Sequence, residues 1–425
     1  MSFIGVLALA GLLFVSTATP QSSKAHNLAA VQVKGAKRFT EADVTRLGGL
    51  TVGHPVTVAD VTAAADRLGA SGLFKSLSYR YVTNVDGMTV IFEFEEADWT
   101  VPVLFDNFVW FSADELMAAV RRDVPSFDGT APPSEGVTEL IGRSLGTLLK
   151  TRNLPGQVQY TPESDLNGHL LKHVFSVRSP APRTCAVHFA GAAALTEQEL
   201  VQSIREIVGS DYSRLMLGNL ARGTLSDLYR QRGFWRATFD EPAATLEDSP
   251  TCSGVTVRFV VTEGSAYAFD RVDWSGNTAL APDKLDALFG MKTGEVASIT
   301  RIDAGIRQLK RAYGDIGFVL AVATFATKLD DASRRAVFLV EIKEGPQFRM
   351  GTFDVRGVSE ADASALRAKW QLASGEVFNA SYPVKYRFEE IKDLLRRGSL
   401  ATRKANLGSR IDPDKQIVDM WLSFE

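Results

Sequence analysis

Gly35, Gly191, Gly276 and Gly357 each end a short apolar run, and each is followed 18 positions later by another glycine, at Gly53, Gly209, Gly294 and Gly375. A third landmark recurs further on, at Gly72, Gly233, Gly317 and Gly398. Self-similarity at a fixed period means that one small structural element is repeated. The chain must therefore fold as an array, and its 425 residues leave room for five modules of about 80 residues each.

The fourth copy shows the pattern most plainly. Phe269, Val272 and Trp274 alternate before the turn Ser275-Gly276-Asn277, which predicts a strand running into a tight turn. Pro282 then opens a short helix that stops at Gly290. After Gly294, Thr300 is placed to cap a second helix whose positions Ile302, Ile306, Leu309 and Tyr313 share one face. Phe318–Thr327 and Arg335–Ile342 follow as a hairpin. Strand, helix, helix, strand, strand is an α+β order, and a three-stranded mixed sheet with two helices on one face buries both apolar stripes. The fifth copy places Phe388, Ile391 and Leu395 on its second helix. The second copy diverges: Asn107 replaces the first glycine, as a residue that tolerates left-handed backbone, and Pro125 stands 18 positions on.

The expected modules are 28–97, 98–180, 183–264, 267–345 and 346–425. Residues 1–18 stand apart, because Phe3–Val15 is apolar and Ser16, Thr17 and Ala18 are small. They read as a signal peptide, or, without Lys or Arg before the apolar run, as an uncleaved N-terminal anchor. Hydrophobic residues at 45%, charged residues at 23% and a net charge of −3 are the composition of globular domains and give no basic excess for nucleic acid. Both cysteines, Cys185 and Cys252, fall in the third module. An oxidising compartment would join them and stabilise that module by on the order of 4 kcal/mol, whereas a reducing one would leave two thiols.

Strand to glycine, helix, glycine, long helix, Gly-Phe turn and a closing strand ending in Glu resembles the polypeptide-transport-associated, or POTRA, domain. The residues that carry the resemblance are Val33-Lys34-Gly35, Gly53, Gly72-Leu73-Phe74 and Glu95-Glu96 in the first copy, and Gly191, Gly209, Gly233-Phe234 and Glu263-Gly264 in the third. The fourth copy adds Gly276-Asn277, Gly294, Gly317-Phe318 and Glu344-Gly345. Five such copies after an export signal are similar to the periplasmic arm of the BamA barrel-assembly family. The sequence departs from that family at Glu425, where the fifth module's last strand is also the last residue, so an array without its β-barrel is expected. The resemblance implies a periplasmic scaffold that binds unfolded or partly folded outer-membrane polypeptides, or an outer-membrane barrel protein, by adding a strand to a sheet edge. Mapped onto this sequence, the edges would be about 73–82, 234–240 and 318–327, with Phe234, Trp235, Ala237, Phe239, Phe318, Leu320 and Val322 as candidate contacts.

Other chemistry is less well supported. No nucleophile elbow, His-Glu-x-x-His helix or phosphate-binding glycine loop occurs, so no enzyme, cofactor or small-molecule substrate is expected. His169 and His173, four apart, fall on an expected strand without a neighbouring ligand set, and no metal is assigned to them. The aromatic cluster Phe105, Phe108, Trp110 and Phe111 reads as core rather than as a binding patch. The competing interpretation of the whole is a division-complex interaction protein held by an uncleaved N-terminal helix.

Overall fold

A computed structural model describes residues 24–97, 99–179, 181–250, 252–396 and 400–425. The expected signal segment, Gly398 and Ser399 lie outside the described residues. The described residues form five small sheets. In the fourth, Arg335–Lys343 is central, parallel to Ala268–Ser275 on one side and antiparallel to Val322–Asp330 on the other. The first, second and fifth sheets repeat this order around Gly87–Glu96, Leu170–Arg178 and Ile417–Phe424. In each, the last strand of the module occupies the middle of the sheet. In the third, Cys252–Thr262 is the strand that the others adjoin.

Helical period and capping chemistry account for the helices. Thr40 with Asp43, Thr57 with Asp60, Ser112 with Glu115 and Thr196 with Glu199 form reciprocal capping boxes, each satisfying two N–H groups that a helix start leaves unpaired. In the fourth module the cap differs from expectation. The long helix Ile299–Asp315 begins after Ser298, so Thr300 lies inside its first turn. Ile302, Leu309 and Tyr313 are buried beneath it with Phe338 and Val340 of the central strand. Burial of one such side chain contributes about 2 kcal/mol. In the fifth module a π-turn at Tyr386–Glu390 inserts one residue into the helical register. Ile391 is consequently buried while Phe388, expected on the same face, is 62% exposed.

The glycine register has a steric cause. A Cβ on Gly35, Gly191, Gly276 or Gly357 would sit 2.1, 2.3, 2.1 or 2.5 Å from a carbonyl oxygen of the module's own last strand, at Phe94, Val261, Ile342 or Phe424. Only glycine permits that approach. The second module solves the same problem otherwise. Asn107 is not left-handed; its buried amide accepts from Val177 N–H at 2.7 Å and donates to Val177 C=O at 3.0 Å. Nor does Pro125 take the second glycine's place: Val103 N–H donates to the carbonyl of Gly129, φ 106°, which stands where the residue after the second glycine stands elsewhere, so Asp128 holds that place.

The chain separates into two compact bodies. Among the described residues, one holds those up to Cys185 with Gly209–Leu215 and Ala244–Thr256, and the other holds the remainder. In the first body, the first and second modules share one continuous core running from Leu28 to Val177. Phe108 and Phe111 are buried in it, and Phe105 and Trp110 pack against it. Cys185 and Cys252 are joined there by a disulfide with a Cα separation of 5.8 Å. In the second body the joint between modules is built twice from matching parts. Tyr267 N–H donates to Gly233 C=O at 2.9 Å, and Phe348 N–H donates to Gly317 C=O at 2.8 Å. A Cβ on either glycine would meet the next module's backbone at 2.7 Å, as well as Val296 or Val377.

Gly276→Ala should cost about 2 kcal/mol or more, because the added methyl meets a carbonyl at a backbone that L residues avoid. Gly294→Ala, where nothing lies within 4 Å, should cost only the backbone term of about 1 kcal/mol. Urea titration of the two variants tests this, and equal losses would show that the close approach is not the constraint.

Candidate functional site

A three-stranded sheet has two edges, and unpaired edges recruit other strands. Here the edge beside each first strand is closed by the module's own loop. Phe269 N–H donates to Glu295 C=O, Gly294 N–H to Phe269 C=O and Ala297 N–H to Tyr267 C=O. Leu28 with His54, Val103 with Gly129, Thr184 with Ser210 and Met350 with Glu376 repeat the first of these bonds. The opposite edges are Phe74–Asn84, Gln157–Ser164, Val322–Asp330 and Ala405–Asp412, which lie at the ends of their sheets. In the third sheet Thr238–Phe239 and Ala243–Ser249 both adjoin Cys252–Thr262, with Pro242, which lacks an N–H, between them. Along Val322–Asp330 residues alternate between exposed and half-buried, with none fully buried.

The expected contact residues divide between these edges and their approaches. Val322 opens the fourth edge strand and is 46% exposed. Phe318 and Leu320 precede it in a turn closed by Ala321 N–H on Phe318 C=O, so the edge begins four residues later than expected. Phe239 is on a two-residue strand, but its ring packs on Tyr229 and Phe259. Phe234, Trp235 and Ala237 are not on a strand. Phe234 stacks edge-on against Tyr229. The Trp235 indole N–H donates to Ala297 C=O at 2.6 Å, and its ring lies against Phe338 of the fourth sheet. Trp235 therefore fastens two modules together and is not free for a client strand.

A carboxylate clasp that the residue spacing does not announce recurs at the ends of the central strands. Glu344, just past the last strand, accepts from the backbone N–H groups of Thr278 at 2.7 Å and Ala279 at 2.8 Å, and from the Tyr313 hydroxyl at 2.9 Å. Glu263 does the same with Ala193, Ala194 and Tyr229. Glu96 accepts from Lys37 and Arg38. Each clasp ties the turn after the first glycine to the end of the central strand. Burial opposes ionisation of Glu344, but the bonds from Thr278, Ala279 and Tyr313 outweigh it and hold the carboxyl below its usual value of 4.5. Burial, followed by the bond to Glu344, pushes the Tyr313 hydroxyl upward. In the third and fourth modules the signal was legible in principle as a Glu near the module's end paired with a Tyr four residues before the third glycine.

The remaining titratable groups are structural. His169 precedes its expected strand and is exposed beside Asp165, whereas His173 is buried and bonded to Tyr160, so the two do not share a face. Among the described residues no three His, Cys, Asp or Glu side chains converge as a metal set, and no helix is long and apolar enough to cross a membrane.

Residues 267–345 match the POTRA family model, described as a surface antigen variable number repeat. Over 205 residues the chain is 20% identical to a Treponema pallidum (strain Nichols) protein named "Putative outer membrane protein assembly factor", covering 46% of this chain and 24% of that protein. The chain thus spans about a quarter of the length of that relative. Among solved structures, Haemophilus influenzae BamA POTRA3-5 is similar at 17% identity and a TM-score of 0.40, over 58% of this chain and 96% of that one. POTRA1-3 of Omp85 from Anabaena is similar at 18% identity and a TM-score of 0.26, over 57% and 94%.

Glu344→Gln should flatten the acid limb of unfolding. A carboxyl whose value is depressed by folding adds stability above its unfolded value near 4.5 and loses it as pH falls through the lower folded value. Thermal melts from pH 7 to 3 should therefore converge for wild type and variant at the acid end, and parallel curves would exclude the clasp as the cause. Residues 267–345 thus match the POTRA family model, and the parallel-antiparallel strand order of that segment recurs in the first, second and fifth sheets.

Proposed function

We propose that this chain is a periplasmic, non-enzymatic scaffold in outer-membrane protein assembly that binds polypeptides by strand addition. Modules at 28–97, 98–180, 183–264, 267–345 and 346–425 each offer one docking edge in this reading. The observation that carries it is the asymmetry of the sheets: the loop after the second glycine closes one edge, and the other is left open. Main-chain hydrogen bonds on an open edge give affinity with little demand on client sequence, which suits a scaffold for many unfolded clients. The name of the Treponema relative and the POTRA match support the assignment to assembly. The clients are unfolded or partly folded outer-membrane polypeptides, and an outer-membrane barrel protein is the expected stable partner.

A photo-crosslinking residue at Val322 or Thr324 should capture outer-membrane precursors in cells, and one at Trp235 should not. Capture restricted to division proteins of the cytoplasmic membrane would overturn the proposal in favour of a division-complex partner.

A further inference from the structure

In the second module the long helix Glu135–Thr151 and the open edge strand Gln157–Ser164 border a groove of about 660 Å3. Gly142 leaves part of this space open. It stands eleven residues before Asn153, the positive-φ residue that ends the helix, as Val61 and Ile306 stand eleven before Gly72 and Gly317. Val61 and Ile306 are buried, 0% and 8% exposed. A Cβ on Gly142 would touch only the Phe175 ring, at 4.0 Å. The volume that a branched side chain fills in the first and fourth modules is open in the second.

The lining gives this space a chemical character. Its apolar side is formed by Val158 of the edge strand and Phe175 of the central strand. Glu135 and Glu139, one helical turn apart, are exposed on the opposite wall and have no ion-pair partner among the described residues. Deeper in, His173 is 1% exposed; its Nδ1 is bonded to the Tyr160 hydroxyl at 3.0 Å, and its Nε2 makes no hydrogen bond. Burial lowers the affinity of this imidazole for a proton, against the pull of the Ala131 and Pro132 carbonyls, so the groove's polar depth adds no positive charge at neutral pH.

An apolar side, two uncompensated carboxylates and a neutral polar end suit a side chain with a long aliphatic stem and a cationic tip. We propose that the groove selects, among strands added to the Gln157–Ser164 edge, those that present a lysine or arginine to it. The stem covers Val158 and Phe175, and the cation is held by Glu135 and Glu139. An acidic residue at that place meets two like charges, and a short apolar one leaves the carboxylates unpaired. This inference rests on the strand-addition reading above.

The test uses the full chain and extended peptides identical except for one position, occupied by Arg, Leu or Glu, with binding read by fluorescence anisotropy. The Arg peptide should bind at least about fivefold more tightly than the Leu peptide, and the Glu peptide least. The exposed Glu135→Gln/Glu139→Gln pair should bring the Arg peptide to the level of the Leu peptide. Gly142→Ile, which restores the side chain of the fourth module, should remove the preference while leaving the melting temperature at or above that of wild type. Equal binding of the three peptides, or a preference that survives both variants, would overturn the proposal while leaving strand addition intact. If no peptide binds, N-acetylarginine amide decides between the two ideas. Binding that perturbs the His173 resonances and is lost in Gly142→Ile keeps the groove and removes strand addition, and absence of binding removes both.

Discussion

The close approach of a glycine to the last strand's carbonyl is the contact on which each module depends. At Gly276 the separation available to a Cβ is 2.1 Å, well inside van der Waals contact, so the turn can reach the central strand only without a side chain. Once there, the backbone N–H groups of Thr278 and Ala279 point at Glu344, which is anchored in turn by Tyr313 of the long helix. First strand, central strand and helix are thereby fixed at one point. The hydrogen bonds are charge-assisted and partly shielded from water, the setting in which such bonds are strongest. Asn107 shows that the requirement is for the contact and not for glycine itself, since a side-chain amide can span the same gap to Val177.

Much of this was legible from residue spacing. Glycine register, the 3.6-residue period of Ile302, Ile306 and Leu309, and the hairpin polarity together specify the α+β module. What was not legible depended on partners distant in sequence or on local backbone departures that leave no mark in the pattern. Trp235 follows a Gly-Phe turn and reads as the start of a strand, yet its indole is claimed by Ala297 in the next module. Asn153 carries the third turn of the second module with φ of 52°, but without a glycine it leaves no mark in the pattern. Phe388 obeys helical spacing and is nonetheless exposed, because a π-turn shifts the face by one position.

The closed sheet edges and the groove of the second module have different physical origins. Closure of the first-strand edge comes from backbone bonds made by a loop whose glycines adopt left-handed conformations, so it recurs wherever that loop recurs. The groove of the second module is widened at Gly142, where the first and fourth modules carry a buried branched side chain. In the function proposed, repetition would supply a common mode of contact and the local departure would supply discrimination.

The position of each module's last strand in the middle of its sheet has a temporal consequence. In the fourth module, Ala268–Ser275 has no strand beside it until Arg335–Lys343 has been made, and the hairpin strand Val322–Asp330 depends on the same segment. A chain that lengthens from its N-terminus cannot assemble such a sheet piecemeal, because non-local pairing must wait for the sequence that closes it. The sheet of the fourth module therefore waits on its last strand, and the open edge at Val322–Asp330 exists only once that strand is present.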